Sequence, residues 1–295
     1  MQVRTDLAEE AQALWRQSAG KTTQLEGVKA RSWEEHGVGR HQVQILNEQG
    51  EKALGKPRGT YETLWVPGDG RPTPEAAEAL GEAVRDLLDL RGGESVLVVG
   101  LGNRAMTPDA VGPLSAGGIL VTRHLRQQLP QIFAGVRPVS ALVPGVLGTT
   151  GVESAEIVQS VVEATRPDRV VVVDALAAGS ADRLCRVIQV TDAGIVPGSG
   201  VGNHRAALNR ETLGVPVFAI GVPTVVDSAT LAADILEESG VEKVDEERLR
   251  GEHDAFMVTT RDIDQQVRDL SKVVGYGINW ALQDLEIEEM NALLS

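Results

Sequence analysis

The chain reads as an α/β fold with a mostly parallel central sheet and helices on both faces, and three observations predict this. Val96–Val99 and Val170–Val173 are apolar runs without polar alternation, the pattern of central strands covered on both sides. From Ser95 onward such runs alternate with helix-like segments, which implies crossovers and hence parallel pairing. Hydrophobic residues make up 42% of 295 residues but aromatics only 3%, so the core must be built from Val, Leu, Ile and Ala. A chain of this length can bury such a core as one large domain.

Taken in order, residues 5–19 have helical periodicity, with Leu7, Ala11, Leu14 and Trp15 on one face. Residues 37–67 hold two extended stretches, 42–46 and 60–66, separated by Gly and Lys, which predicts a small antiparallel appendage near the N-terminus. Residues 74–90 form a helix that Thr73 can cap, with Pro74 at its first position and Gly92-Gly93 beyond its end. Strand 95–100 follows, then helix 113–129, strand 136–141, helix 151–165 and strand 169–174. A strand near 183–190 leads into a Gly-rich loop, strand 216–221 and helix 227–239. The charged stretch 237–254 reads as a solvated surface excursion. The last helix, 262–283, spaces Ile263, Val267, Leu270, Val274 and Ile278 for one buried face.

Charge and cysteine content narrow the function. Lys and Arg total 28 against 42 Asp and Glu, giving −14, a surface that repels nucleic acid but not basic or extended peptides. The single cysteine, Cys185, excludes an internal disulfide and a Cys-based zinc cluster; set in the strand-like Leu184–Ile188, it reads as a structural thiol. Acidic residues interrupt the N-terminus, and no run approaches the ~18–20 apolar residues of a membrane span, so the expectation is a soluble intracellular protein.

The candidate chemistry lies just past two buried strands. Asp109 stands in Thr107-Pro108-Asp109-Ala110-Val111-Gly112-Pro113, and Asp174 ends the run 169–174. In open α/β sheets the crevice beyond the carboxyl ends of the strands holds ligands. Two facing carboxylates there cannot both ionise cheaply, which can yield an acid and a base from one residue type. Asp109 alone is equally a capping or turn residue, since Pro-Asp is turn chemistry. The small residues after Asp174, Ala175 to Ser180, suit close approach of a substrate backbone. Asp227, at another strand end, reads first as the N-cap of the next helix and second as a substrate contact. The loop Pro197-Gly198-Ser199-Gly200-Val201-Gly202-Asn203-His204 lacks dinucleotide-loop spacing and reads as a substrate-facing loop, with Gly198, Ser199, Gly200 and Asn203 as contacts. His204 has no carboxylate at ligand spacing, so no metal and no cofactor is expected. The other histidines, His36, His41, His124 and His253, lie in polar or helical contexts.

Several of these segments, in this order, resemble the germination proteases of spore-forming bacteria: Leu101-Gly102-Asn103, the loop 107–113, Val173-Asp174-Ala175-Leu176-Ala177-Ala178, the Gly-rich loop 197–203, Gly221-Val222-Pro223-Thr224-Val225-Val226-Asp227 and Gly275-Tyr276-Gly277-Ile278-Asn279. The likeness runs from Val3 to about Leu282. It implies a phosphorylase/hydrolase-like fold related to the hydrogenase-maturation endopeptidases. It also implies an endopeptidase that degrades small acid-soluble spore proteins in the spore core, works as a homotetramer, and uses Asp109 and Asp174 as its catalytic pair. Such enzymes remove their own propeptide at an acidic–apolar–Ala–polar–acidic sequence. Thr5-Asp6-Leu7-Ala8-Glu9 resembles that sequence, which makes Asp6–Leu7 the expected self-cleaved bond, residues 1–6 a propeptide, 7–295 one peptidase domain, and this chain a zymogen. The same segment is also an ordinary helix start, with Thr5 or Asp6 as N-cap. Two other readings stand beside the first: a metal-dependent maturation endopeptidase of the hydrogenase type, and a module that binds spore proteins without cutting them.

Overall fold

A computed structural model describes residues 5–19, 25–66, 73–199, 205–241, 244, 249 and 256–283. Its elements in chain order are α1 (Ala8–Ala19), β1 (Val28–Glu35), β2 (Val38–Ile45), α2 (Glu48–Leu54), β3 (Gly59–Trp65) and α3 (Pro74–Leu88). Then come β4 (Val96–Gly100), α4 (Val111–Gly117), α5 (Arg123–Gln128), β5 (Val139–Leu142), α6 (Leu147–Thr150) and α7 (Ser154–Thr165). The last are β6 (Arg169–Ala178), β7 (Val187–Thr191), α8 (Arg210–Leu213), β8 (Val217–Asp227), α9 (Ser228–Glu238), β9 (Met257–Val258) and α10 (Ile263–Gln283).

Among the described residues the nine strands join one sheet, ordered β1-β2-β3-β7-β8-β6-β4-β5, with β9 on β8. Its centre is parallel: β5, β4, β6 and β8 run side by side. Residues 170–173 alternate between two cores. Val171 and Val173 pack with α3, α4 and α10 residues such as Leu80, Val111 and Ile278. Val170 and Val172 pack with Val158 and Val162 of α7 and Leu213 of α8. Both faces are therefore covered, and the strands carry no polar alternation for that reason.

The expectation of a mostly parallel sheet needs correction, because the β1/β2, β2/β3, β3/β7, β7/β8 and β8/β9 pairs are all antiparallel. The physical cause is chain length between strands. Residues 179–186 between β6 and β7 hold one 3₁₀ turn and are too few for the crossover of a dozen or more residues that parallel pairing needs. The chain turns back, and β7 then offers an antiparallel edge to β3. Residues 37–67 are for the same reason no separate appendage: β2 and β3 continue the central sheet, and Tyr61–Trp65 pairs with Val187–Thr191. The preceding strand β1 had no clear apolar signal because its residues are mostly exposed at the sheet edge.

Other boundaries shift for local reasons. The single helix expected over 113–129 is two, α4 and α5, broken after Gly117-Gly118. The strands expected to end at 174 and 221 continue to 178 and 227. Cys185 is buried in the turn before β7, at φ 55°, rather than in a strand, and burial raises its thiol pKa to about 12. That keeps it protonated and inert, as a structural thiol is. Thr73 caps α3 by accepting from Ala76 N at 3.2 Å, and Asp227 caps α9 by accepting from Ala229 N and Thr230 N.

Candidate active site

The carboxyl ends of β4, β6 and β8 converge on a cleft of about 650 Å³ whose lining includes Asp6, Asp109, Asp174, Arg205 and Thr224. Asp109 reaches it because β4 ends in a tight reversal. Leu101 N donates to Val173 O at 2.8 Å, tying the β4 exit to β6. Gly102 then takes φ 113°, a conformation open to glycine, and a Cβ there would lie 2.1 Å from Asp109 O. The chain continues through a 3₁₀ turn, Thr107–Asp109, whose Pro108 O accepts from Thr224 Oγ1 of β8 at 2.7 Å. Gly112 lets α4 press onto both strand ends; a Cβ there would lie 2.2 Å from Leu101 O and 2.5 Å from Val173 O. Three strands thus hold one short turn, and the turn holds Asp109.

The two aspartates differ in environment. Half-buried Asp109 accepts from Asn103 N at 2.8 Å; burial raises its pKa, while that hydrogen bond and the charge of Arg205 oppose the rise. Asp174 is 5% exposed, and its pKa stands well above the usual carboxylate range. Burial is the main cause and the Asp109 charge the next, with a smaller push from Asp6; the Ala175 N–H and Arg205 act against them. Two carboxyls with opposed demands on one proton can supply a base and an acid at neutral pH.

Asp6 of the N-terminal segment lines this cleft, and the residues after it pack beside it. Asp6 N donates to Ala177 O at 3.0 Å, and Ala177 N donates back to Asp6 Oδ2 at 2.9 Å. Ser199 Oγ donates to Asp6 Oδ1 at 2.8 Å. Lys56 Nζ donates to Thr5 O at 2.9 Å, and its pKa is lowered by burial against the pull of Asp6 and Glu10. Leu7 is fully buried against Leu176 and Val187, with Trp65 and Ile195 alongside. Ala8 is fully buried with Val43, Ile45, Leu54 and Tyr61. Arg183 Nη2 donates to Glu9 Oε1 at 3.2 Å while its guanidinium stacks 4.6 Å above the Trp65 ring. Glu10 accepts from Thr5 Oγ1 and Gly179 N, and burial raises its pKa to about 7.

Of the residues singled out from sequence, Asp6, Asp109, Asp174 and Gly198 line the cleft and Ser199 touches Asp6. Leu7 is seated in the apolar pocket beside it. Asp227 is occupied as the α9 cap and is not part of the cleft lining. Gly200, Asn203 and His204 lie outside the described residues. Among the described residues, no group of three or more His, Cys, Asp and Glu side chains is placed to hold a metal ion, and no helix is long and apolar enough to cross a membrane. Sequence reasoning passed over Arg205, Lys56, Arg183 and Gln189. Gln189 alone left a signal, as a polar residue inside the buried run Val187–Thr191.

Comparison with known proteins identifies the family. The family model described as germination protease matches residues 4–248. The germination protease of Clostridium perfringens is 40% identical, with 99% of each chain covered. That of Caldanaerobacter subterraneus subsp. tengcongensis is 42% identical over 99% of this chain and 98% of its own. That of Bacillus pumilus is 44% identical over 80% of this chain and 67% of its own. A family match over most of the chain, with relatives about 40% identical over nearly its full length, makes this chain a member of the germination protease family and an endopeptidase.

Proposed function

We propose that the endopeptidase works through Asp109 and Asp174 as a pair, on small acid-soluble spore proteins in the spore core, as a homotetramer made in zymogen form. The carrying observation is that Asp6 lines the cleft of the two aspartates while Leu7 and Ala8 are seated in apolar pockets beside it, so that the acidic side chain, the apolar side chain and the alanine each have their own place. A self-cleaving leader must present its own bond to its own site, and Asp6–Leu7 is the bond so presented. Residues 1–6 are then the propeptide, and a substrate protein carrying a similar stretch would use the same contacts after the leader vacates them.

The two environments support a division of roles. Asp109, with its N–H donor and Arg205 nearby, is the anionic base that takes a proton from water. Asp174, buried beside that charge, holds the proton and passes it to the leaving nitrogen. The hydroxide so formed adds to the carbonyl carbon of Asp6, the C–N bond to Leu7 breaks, and the Leu7 nitrogen leaves as an amine.

The test is intact mass after incubation of the full chain. Wild type is expected to lose residues 1–6. Asp109→Asn and Asp174→Asn keep shape but cannot exchange the proton, so each should slow the loss by about 10²-fold or more. Wild-type rates in either variant, with an unchanged circular dichroism spectrum, would remove that residue from the mechanism.

A further inference from the structure

Gln189 sits in the middle of β7, 5% exposed, and its amide bridges the two sides of Leu7. Its Oε1 accepts from Ala8 N at 2.8 Å, and its Nε2 donates to Asp6 O at 3.3 Å. The orientation of the amide is fixed by its partners: an N–H needs an acceptor and a carbonyl needs a donor, so a flipped amide would oppose like groups at both ends. β7 is paired on both sides, with Thr63 of β3 and Gly221 of β8 opposite Gln189, so the side chain springs from a rigid strand.

Resting on the reading that Asp6–Leu7 is the bond cut, we infer that Gln189 is a catalytic residue: its Nε2 is the side-chain donor to the oxygen of the scissile carbonyl, and its Oε1 fixes the chain two residues on. At 3.3 Å the contact with the neutral carbonyl is long. When water adds to the Asp6 carbon, the oxygen gains negative charge and becomes a stronger acceptor. A contact that tightens only then lowers the barrier without holding the ground state more firmly. Gln189 is itself buried, and its fixed amide needs little reorganisation as the charge appears. The Oε1 contact has a different effect. It reads a backbone N–H, so it holds any extended chain with a free amide at that position and rejects one with proline there, whatever the neighbouring side chains.

This extends the role of β7 beyond supplying a wall for Leu7. The aspartates move protons, while the amide supplies the dipole that proton transfer leaves unmet.

The experiment compares single-turnover loss of residues 1–6 in the full chain, followed by intact mass, between wild type, Gln189→Glu and Gln189→Met. Gln189→Glu retains an oxygen for Ala8 N but points a second oxygen at the carbonyl. It should cut at Asp6–Leu7 more slowly by about 10²-fold or more. Gln189→Met fills nearly the same volume without polar atoms, guards against misfolding of the charged variant, and should lose at least as much. Thermal melting of each shows which variants are folded. A folded variant that cuts Asp6–Leu7 at the wild-type rate overturns the role of Gln189 and leaves the aspartate reading intact. A wild-type cut at some other bond overturns the choice of scissile bond, and the clamp with it.

Discussion

The carboxyl of Glu10 is held where a carboxylate is costly, and the consequence can be measured. Its pKa rises from an ordinary 4.5 to about 7, chiefly through burial, with Thr5, Gly179 and Arg183 opposing the rise. The folded chain therefore binds this proton more tightly than the unfolded chain does. The stability this contributes is complete below about 4.5 and is lost as pH rises to about 7. Its size is on the order of 3 kcal/mol, since a tenfold difference in proton affinity between the two states is worth about 1.36 kcal/mol. Glu10→Gln stays neutral throughout, so denaturant midpoints between pH 4.5 and 7.5 should fall less in the variant than in wild type. Equal slopes would take Glu10 out of the linkage. At this scale the placing of the two aspartates at one sheet edge was legible in the sequence, because Asp109 stands in the loop after one buried apolar run and Asp174 follows another. Which of them holds the proton was not, because that depends on Asn103 N–H, Arg205 and burial, all set by tertiary contact.

Among the elements, the 3₁₀ turn that carries Asp109 owes its place to the reversal at Gly102 and the close approach at Gly112. Gly102→Ala would need a side chain at φ 113° with its Cβ 2.1 Å from Asp109 O. Strain of about 1–3 kcal/mol should displace the turn, costing about 10-fold or more in cleavage along with a lower melting point. Gly117→Ala, at the end of α4 with nothing within 4 Å of its Cβ, is the control. It should keep activity and hold or slightly gain stability, by roughly 0.4–1 kcal/mol. Loss of cleavage in both variants alike would show that the reversal has no special part. The elements legible in the sequence were those with strong periodicity and clear caps, such as α3 behind Thr73 and α10 with its stripe from Val267 to Ile278. Strand direction was not legible. Apolar runs such as Val187–Val190 and Val217–Ile220 look alike, yet one enters the sheet antiparallel because the link before it is short. The extent of the sheet was hidden too, since pairing of β3 with β7 joins residues more than a hundred positions apart.

Over the whole molecule, the N-terminal segment and the sheet share one buried surface, which in the zymogen reading proposed above ties activation to stability. Leu7 is enclosed by Leu176, Val187, Trp65 and Ile195, while Ala8 docks α1 on β2 and β3. No metal contact enters this arrangement in the proposal, so prolonged dialysis against a strong chelator should leave the rate of self-cleavage unchanged. Loss restored by one divalent ion would move the mechanism to the metal-dependent type. Leu7→Ala tests the coupling itself. Removing a buried leucine side chain costs about 2–5 kcal/mol where the site cannot collapse, and here the loss falls on a segment that forms no strand of the sheet and can undock without unfolding it. The expected result is faster hydrogen exchange and proteolysis across residues 8–17, with the amides of β4 and β6 still protected. Self-cleavage should slow at the same time, because Asp6 is held by Ala177, Ser199 and Gln189 only while Leu7 fills its pocket. Slower cleavage with an unchanged exchange pattern would mean that Leu7 is read as a substrate side chain without holding the leader in place. Unchanged cleavage with a released leader would mean that the cut does not pass through this seated conformation.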